Sequence, residues 1–149
     1  MKRETQTNRW DYDSCRSGLS NDRIATGRRL IVGHADEGFI ARVCQQFQRL
    51  GWDVYPARSA PQVRRLAAEL PAGVVIMPTH FDEESGWLAC AKLTKEHPSH
   101  RVILIGEYTT PDLQRYTSFV GGSALLGLNN SMRSLVDEVC QAAQLPMAS

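Results

Sequence analysis

Long apolar runs, paired cysteines and a strong net charge are all missing from this sequence of 149 residues. No apolar run approaches the roughly 20 residues that cross a membrane, so the sequence predicts no membrane segment. The N-terminus lacks the apolar stretch of a secretory signal, which by default predicts a cytoplasmic protein. The formal net charge is +1, so the overall charge does not indicate nucleic acid as a partner.

The cysteines also exclude some functions. Cys15, Cys44, Cys90 and Cys140 stand far apart, with no C-x-x-C pair. This spacing is typical of buried reduced thiols rather than of a disulfide framework or a structural zinc site. Cys44 and Cys140 fall on the apolar stripes of two predicted helices, so we expect small buried hydrophobes there rather than redox switches.

The ends of the chain differ in composition from its middle. Residues 1–27 are polar and show no hydrophobic periodicity, which predicts a disordered N-terminal tail. Trp10 and Tyr12 are the aromatic residues of this tail. We therefore predict one domain over residues 28–145, followed by a C-terminal tail over residues 146–149.

Between the tails, short apolar runs alternate with segments of helical periodicity. The predicted strands cover residues 30–32, 52–55, 74–77, 102–105 and 124–126, and all of them except 52–55, which contains Asp53, are fully apolar. Fully apolar strands are typical of a parallel sheet that helices cover on both faces. Five strand–helix units predict an α/β, flavodoxin-like, doubly wound sheet of five parallel strands in order 2-1-3-4-5 with five flanking helices. A truncated dinucleotide-binding fold is the alternative, but no G-x-G-x-x-G follows the first strand.

Local signals place the helices within this pattern. Asp36 and Ser59 are predicted N-caps of the first two helices, because their side chains can accept hydrogen bonds from the first turn. In the fourth helix, Leu113, Tyr116 and Phe119 recur at helical spacing and are predicted to face the core.

The third strand and the loop after it form the predicted centre of the domain. Pro78 cannot donate to a strand ladder, so it should end that strand. The loop over residues 79–86 is acidic and leads into a helix. Since ligands of open α/β sheets bind beyond the carboxyl ends of the strands, we expect any site to lie here.

Four segments, in their order and spacing, carry a resemblance to a known family. They are Arg29-Leu30-Ile31-Val32 before an acidic turn, Met77-Pro78 with the acidic loop and Gly86-Trp87-Leu88, the segment 92–98 before the fourth strand, and Gly121-Gly122-Ser123-Ala124-Leu125-Leu126. Together they make residues 28–145 similar to a response-regulator receiver domain of the CheY-like superfamily. The resemblance implies the same flavodoxin-like fold and a role in two-component or phosphorelay signal transduction.

The residues that receiver chemistry requires are absent from the matching positions. As the family implies, two acidic residues after strand one bind Mg²⁺, an Asp ending strand three accepts the phosphoryl group, a Ser or Thr ends strand four and a Lys ends strand five. These positions fall on Gly33 and His34 (or His34 and Ala35), Pro78, Gly106 and Leu128. Proline offers no nucleophile and leucine no charge, so the resemblance implies a degenerate phosphorylation site.

A metal site is one alternative for the same edge of the sheet. His34 and Asp36 follow the first strand, and His80 and Asp82 follow the third. Imidazole and carboxylate groups together suit zinc or another transition metal. A helix cap for Asp36 and solvated loop positions for the other three residues are the simpler interpretation.

The predicted function is that of a stand-alone pseudo-receiver. It would be a non-enzymatic signalling module without a cofactor, acting by phosphorylation-independent contact with a protein partner or with itself. The residues predicted on its contact surface, around helix four, strand five and helix five, are Tyr108, Gln114, Arg115, Tyr116 and Arg133. Two alternatives remain open: a phosphorelay regulator phosphorylated at an unorthodox carboxylate, and a domain that binds a small ligand or metal over Pro78.

Overall fold

The computed structural model describes residues 28–144, so the two predicted tails lie outside the described residues. The strands are β1 (Arg29–Gly33), β2 (Asp53–Ala57), β3 (Val74–Pro78), β4 (Arg101–Gly106) and β5 (Ala124–Gly127). The helices are α1 (Glu37–Arg49), α2 (Ala60–Glu69), α3 (Gly86–Glu96), α4 (Pro111–Phe119) and α5 (Met132–Gln144). All strand pairs are parallel, and the sheet order β2-β1-β3-β4-β5 confirms the predicted flavodoxin-like fold.

The hydrophobic core lies on both faces of this sheet. Val74 and Ile76 of β3 belong to a cluster that includes buried residues of α1 and α5. Val75 and Met77 belong to a second cluster, with α2 and α3. Because side chains alternate along a strand, an uninterrupted apolar run supplies both clusters at once.

Capping residues fix where the helices begin. The Asp36 carboxylate accepts a hydrogen bond from the Gly38 N–H at 2.9 Å, and the Ser59 hydroxyl accepts one from the Gln62 N–H at 3.3 Å. Both residues thus satisfy backbone donors that the first turn leaves without a partner, as predicted.

The second strand differs from its predicted bounds. It was expected over residues 52–55, but β2 begins at Asp53 and continues through Pro56 to Ala57. A proline is tolerated there because β2 is an edge strand, which pairs only with β1 on one side. Trp52 precedes the strand and contacts Phe47 edge to face, with ring centroids 5.5 Å apart.

Helix α4 presents a different face from the predicted one. Tyr116 and Phe119 were expected in the core, but Phe119 is 83% exposed and Tyr116 is 45% exposed. The buried residue of α4 is Thr117, whose hydroxyl donates to the Leu113 carbonyl at 2.8 Å. This internal hydrogen bond satisfies the hydroxyl, so a polar residue takes the inward position and the aromatic residues turn to solvent.

Within residues 28–144, no helix combines the length and the apolar character that crossing a bilayer requires.

Gly86 gives a test of the close packing at the end of β3. A Cβ atom at this position would lie 1.8 Å from the carbonyl oxygen of Pro78, a backbone atom that cannot move away alone. We expect Gly86→Ala to lower the free energy of unfolding by about 2–3 kcal/mol, as measured by urea denaturation.

Gly38→Ala is the matched control for this substitution. At that exposed position the nearest atom to a new Cβ is the Asp36 carboxylate oxygen, at 3.3 Å. We expect a change below about 1 kcal/mol. Equal effects of the two substitutions would contradict the close approach of Gly86 to Pro78.

Candidate functional site

The carboxyl edge of the sheet brings the predicted phosphorylation-site positions together. Pro78 is the last residue of β3, Gly106 is the last of β4, and His34 and Leu128 directly follow β1 and β5. These four residues line one cavity of about 490 Å³. The structure thus places four of the five predicted positions around one space.

Gly33, the fifth position, lies against the core instead. A Cβ atom there would lie 2.4 Å from a methyl carbon of Val63 on α2 and 3.3 Å from the ring of Phe81. Helix α2 therefore packs so closely on the end of β1 that a larger side chain at residue 33 would require at least the Val63 side chain to shift.

His34 has a defined protonation state at this edge. Its Nδ1 atom accepts a hydrogen bond from the Asp36 N–H at 3.0 Å, which places the proton of the neutral ring on Nε2. Burial lowers the pKa of His34, the nearby Asp36 partly offsets this, and Arg42 lowers the pKa further. The ring also contacts Phe39, with centroids 4.5 Å apart. His34 therefore presents an N–H donor rather than a free lone pair.

The predicted metal residues do not form one cluster. Over residues 28–144, the structure contains no group of three or more His, Cys, Asp or Glu side chains that could hold a metal ion. Asp36 caps α1, and the Nδ1 atom of His80 lies 3.5 Å from the Thr79 hydroxyl. His34 and His80 line the cavity over Pro78, whereas Asp36 and Asp82 do not.

The acidic loop after β3 is a closed turn anchored at several points. His80 and Ser85 form an antiparallel bridge, and the Phe81 N–H donates to the Glu84 carbonyl at 3.0 Å. The Phe81 side chain is buried in the second core cluster. Sequence reasoning missed this anchor, although a lone aromatic residue in a polar loop was a usable signal.

Glu84, one of the carboxylates of this loop, is engaged in ion pairs. Its oxygen lies 2.8 Å from Arg64 on α2 and 3.7 Å from Lys92 on α3. The Glu84 side chain is only 15% exposed, so the pair with Arg64 is partly desolvated. Sequence reasoning had no means of detecting this contact, because the two residues are 20 positions apart.

Three of the four cysteines lie within the described residues. Cys44 is buried, whereas Cys140 is only half-buried. Burial raises the pKa of the Cys140 thiol, an effect that Arg28 opposes and Asp137 reinforces. Cys90 is buried too, and burial raises the pKa of its thiol to about 12. A raised pKa suppresses the reactive thiolate, as expected for structural thiols.

Comparison with known proteins identifies the fold. No protein-family model and no curated protein matches the sequence. Solved structures do match. The chemotaxis response regulator CheY4 of Vibrio cholerae gives a TM-score of 0.71 at 13% identity, over 76% of this chain and 97% of that one. The receiver domain of an HD domain-containing protein from Pseudomonas fluorescens gives 0.70 at 22% identity, over 76% and 92%.

A third structure, the beryllofluoride-activated NtrC4 receiver domain dimer, gives a TM-score of 0.73 at 15% identity, over 78% of this chain and 97% of that one. The chain has the fold of a response-regulator receiver domain. At these identities the likeness concerns the fold alone.

The predicted contact residues all lie at the surface of this receiver fold. Tyr108, Gln114, Arg115, Tyr116 and Arg133 are exposed. Tyr108 is 68% exposed, and Arg115 forms an ion pair with Asp112 within α4. Phe119, which the sequence placed in the core, joins this exposed set.

Two histidines predict how the stability of the receiver fold depends on pH. Burial lowers the pKa of His34, and burial also lowers that of His100, whose Nε2 atom donates to the carbonyls of Ala67 and Leu70. Because both folded-state pKa values lie below the ordinary 6.5, the unfolded chain binds more protons in acid than the folded chain does. The free energy of unfolding should therefore be greatest above pH 6.5 and fall below it, by at most about 1.4 kcal/mol per pH unit per histidine.

Urea denaturation between pH 7.5 and 5.5 measures this dependence. We expect His34→Gln and His100→Gln each to flatten it, whatever their effect on stability at pH 7.5. If both variants kept the full wild-type dependence on pH, the two histidines would not be its source.

Proposed function

We propose that this protein is a receiver-like signalling module that works without phosphorylation and acts by contact with another protein or with a second copy of itself. The observation that carries the proposal is Pro78 at the end of β3, the position at which a receiver is expected to carry its phosphoryl acceptor. A proline side chain has no atom that can attack a phosphoryl group. The module is proposed to be non-enzymatic for the same reason.

The surroundings of Pro78 support this proposal. Phosphoryl transfer depends on cations that neutralise the charge of the transferred group. The cavity over Pro78 is lined by one carboxylate, from Glu107, and by no Lys or Arg of the described part of the chain. Leu128 falls on the expected lysine position, and a Cβ atom at Gly33 would clash with Val63, which disfavours an acidic residue at the end of β1.

The nearest loop carboxylates are poor substitutes for the missing acceptor. Glu84 pairs with Arg64 and Lys92 through one carboxylate oxygen, and it does not line the cavity. Asp82 and Glu83 are exposed on the closed turn and do not line the cavity. The alternative of phosphorylation at an unorthodox carboxylate therefore has less support.

The exposed aromatic residues of α4 support the contact function. The rings of Trp87, Tyr116 and Phe119 form a chain, with centroid distances of 4.9 Å and 6.3 Å. Large exposed aromatic side chains often supply most of the binding energy of an interface. We call Arg115, Tyr116 and Phe119 the α4 surface and propose it, together with Tyr108, as the contact site.

The first prediction from this proposal concerns phosphorylation. Incubation with acetyl phosphate and Mg²⁺ should leave the intact mass of the protein unchanged, because neither an acceptor carboxylate nor a metal-binding acidic pair is in place. A stoichiometric phosphoryl adduct would overturn the proposal, and peptide mapping would then identify the acceptor.

Pro78→Asp extends the same experiment. The single substitution supplies an acceptor but neither a metal site nor a cation, since His34 and Leu128 remain. We expect no adduct with this variant either. Robust labelling of Pro78→Asp would show that a carboxylate such as Asp36 already fills the metal position.

The second prediction concerns the contact site. Phe119→Ser should change the free energy of unfolding by less than about 0.5 kcal/mol, because the side chain is exposed. It should nevertheless weaken binding to a partner or to a second copy. Analytical ultracentrifugation measures self-association, and a pull-down under matched conditions measures partner binding.

Tyr108→Ala and Arg115→Ala test the same site, and Arg42→Glu on the exposed side of α1 is the control. We expect the first two variants to lose binding and the control to keep it. The reverse result, with all α4 variants binding normally and Arg42→Glu failing, would place the contact site on α1.

A further inference from the structure

The cavity over Pro78 has the dimensions and walls of a small-molecule site. Its volume of about 490 Å³ falls within the range of roughly 300–1,000 Å³ that is usual for ligand pockets. Pro78, Ile105 and Leu113 contribute aliphatic surface, and Trp87 and Tyr108 contribute aromatic rings. These surfaces match the shape and polarity of a flat apolar molecule.

The walls of the cavity are held by backbone hydrogen bonds. The Thr79 N–H donates to the Ile105 carbonyl at 2.9 Å, and the Gly86 N–H donates to the Thr79 carbonyl at 2.8 Å. Gly106 keeps part of the space free, because a Cβ atom there would come within 3.1 Å of the Thr79 methyl group. The side of the cavity that Thr79 and Ile105 form is thus fixed before any ligand arrives, which lowers the entropic cost of binding.

The charges around the cavity indicate which ligand charge is favoured. Glu107 brings a negative charge, and no Lys or Arg from residues 28–144 lines the cavity to attract an anion. The faces of Trp87 and Tyr108 attract cations through their π-electrons. A positively charged ligand is therefore favoured, and a phosphate or carboxylate is disfavoured.

We propose that this cavity binds a planar heteroaromatic cation, with its ring against Trp87 and Tyr108 and its positive charge near Glu107. This proposal does not depend on the contact function proposed above, although the two sites share Tyr108. His34 also lines the cavity and adds a hydrogen-bond donor, since its Nδ1 atom accepts from the Asp36 N–H and its proton sits on Nε2. A ligand atom with a lone pair would accept this hydrogen bond.

Three probes that share one ring system test the charge preference. They are 4-aminoquinoline, which is a cation at pH 7, the uncharged quinoline, and the anion quinoline-4-carboxylate. Titration into ¹⁵N-labelled protein, followed by two-dimensional NMR, should shift the amide signals of residues 79–80 and 106–108. We expect the affinity to decrease from the cation to the neutral ring, with no binding of the anion.

Substitutions separate the contributions of charge and ring. Glu107→Gln should weaken binding of 4-aminoquinoline by about threefold and leave quinoline unchanged, because only the cation interacts with the carboxylate. Tyr108→Ala should weaken both. Glu96→Gln, an equally simple charge removal at an exposed position of α3 outside the cavity lining, should change neither.

Several results would overturn the proposal. One is binding of the anion as tight as that of the cation. Others are signal shifts confined to residues away from the cavity, or the same affinity of 4-aminoquinoline for wild type and Glu107→Gln. The absence of shifts at residues 79–80 and 106–108 with every probe at millimolar concentration would also refute it.

Discussion

Strand β3 is buried on both of its faces, and its register determines which groups reach the carboxyl edge. Val74 and Ile76 fill the cluster with α1 and α5, while Val75 and Met77 fill the cluster with α2 and α3. A slip of one residue would move each of these two sets of side chains into the other cluster. Such a slip is unfavourable because both clusters are closely packed. Pro78 is therefore held at the end of the strand, directly below the cavity.

The end of β3 is closely packed on the side of Gly33 and Gly86. The Cβ positions of Gly33 and Gly86 lie too close to Val63 and to the Pro78 carbonyl for any side chain. Phe81 anchors the turn after β3, because its side chain is buried in the second core cluster. A carboxylate side chain at residue 33 would require Val63 on α2 to shift, so the packing of this edge disfavours an acidic residue at that position.

The sequence predicted what depends on local pattern and missed what depends on distant contacts. Apolar runs and capping residues such as Asp36 were sufficient to predict the fold, because strands buried on both faces of a parallel sheet are typically uninterrupted apolar runs. The prediction of the buried face of α4 was wrong, because helical periodicity alone allows either Tyr116 or Thr117 at the inward position. The hydrogen bond that lets Thr117 be buried, and the ion pair between Arg64 and Glu84, arise only from the folded arrangement.

Helix α4 is attached to the domain through few apolar side chains. The Thr94 hydroxyl donates to the Val120 carbonyl at 3.1 Å, and the Gly122 N–H donates to the Thr117 carbonyl at 2.8 Å, so polar contacts hold its C-terminal end. Its N-terminal side borders the cavity through Leu113, and Tyr108 lies just before it. A molecule in the cavity touches both residues, whereas Gly106 offers no side chain to transmit a change. Trp87, another residue of the cavity lining, contacts Tyr116 with ring centroids 4.9 Å apart, so coupling between the cavity and the α4 surface has a route through these two rings as well as through the segment from Tyr108 to Leu113. A ligand can drive such coupling only by the difference between its contacts with the two coupled conformations.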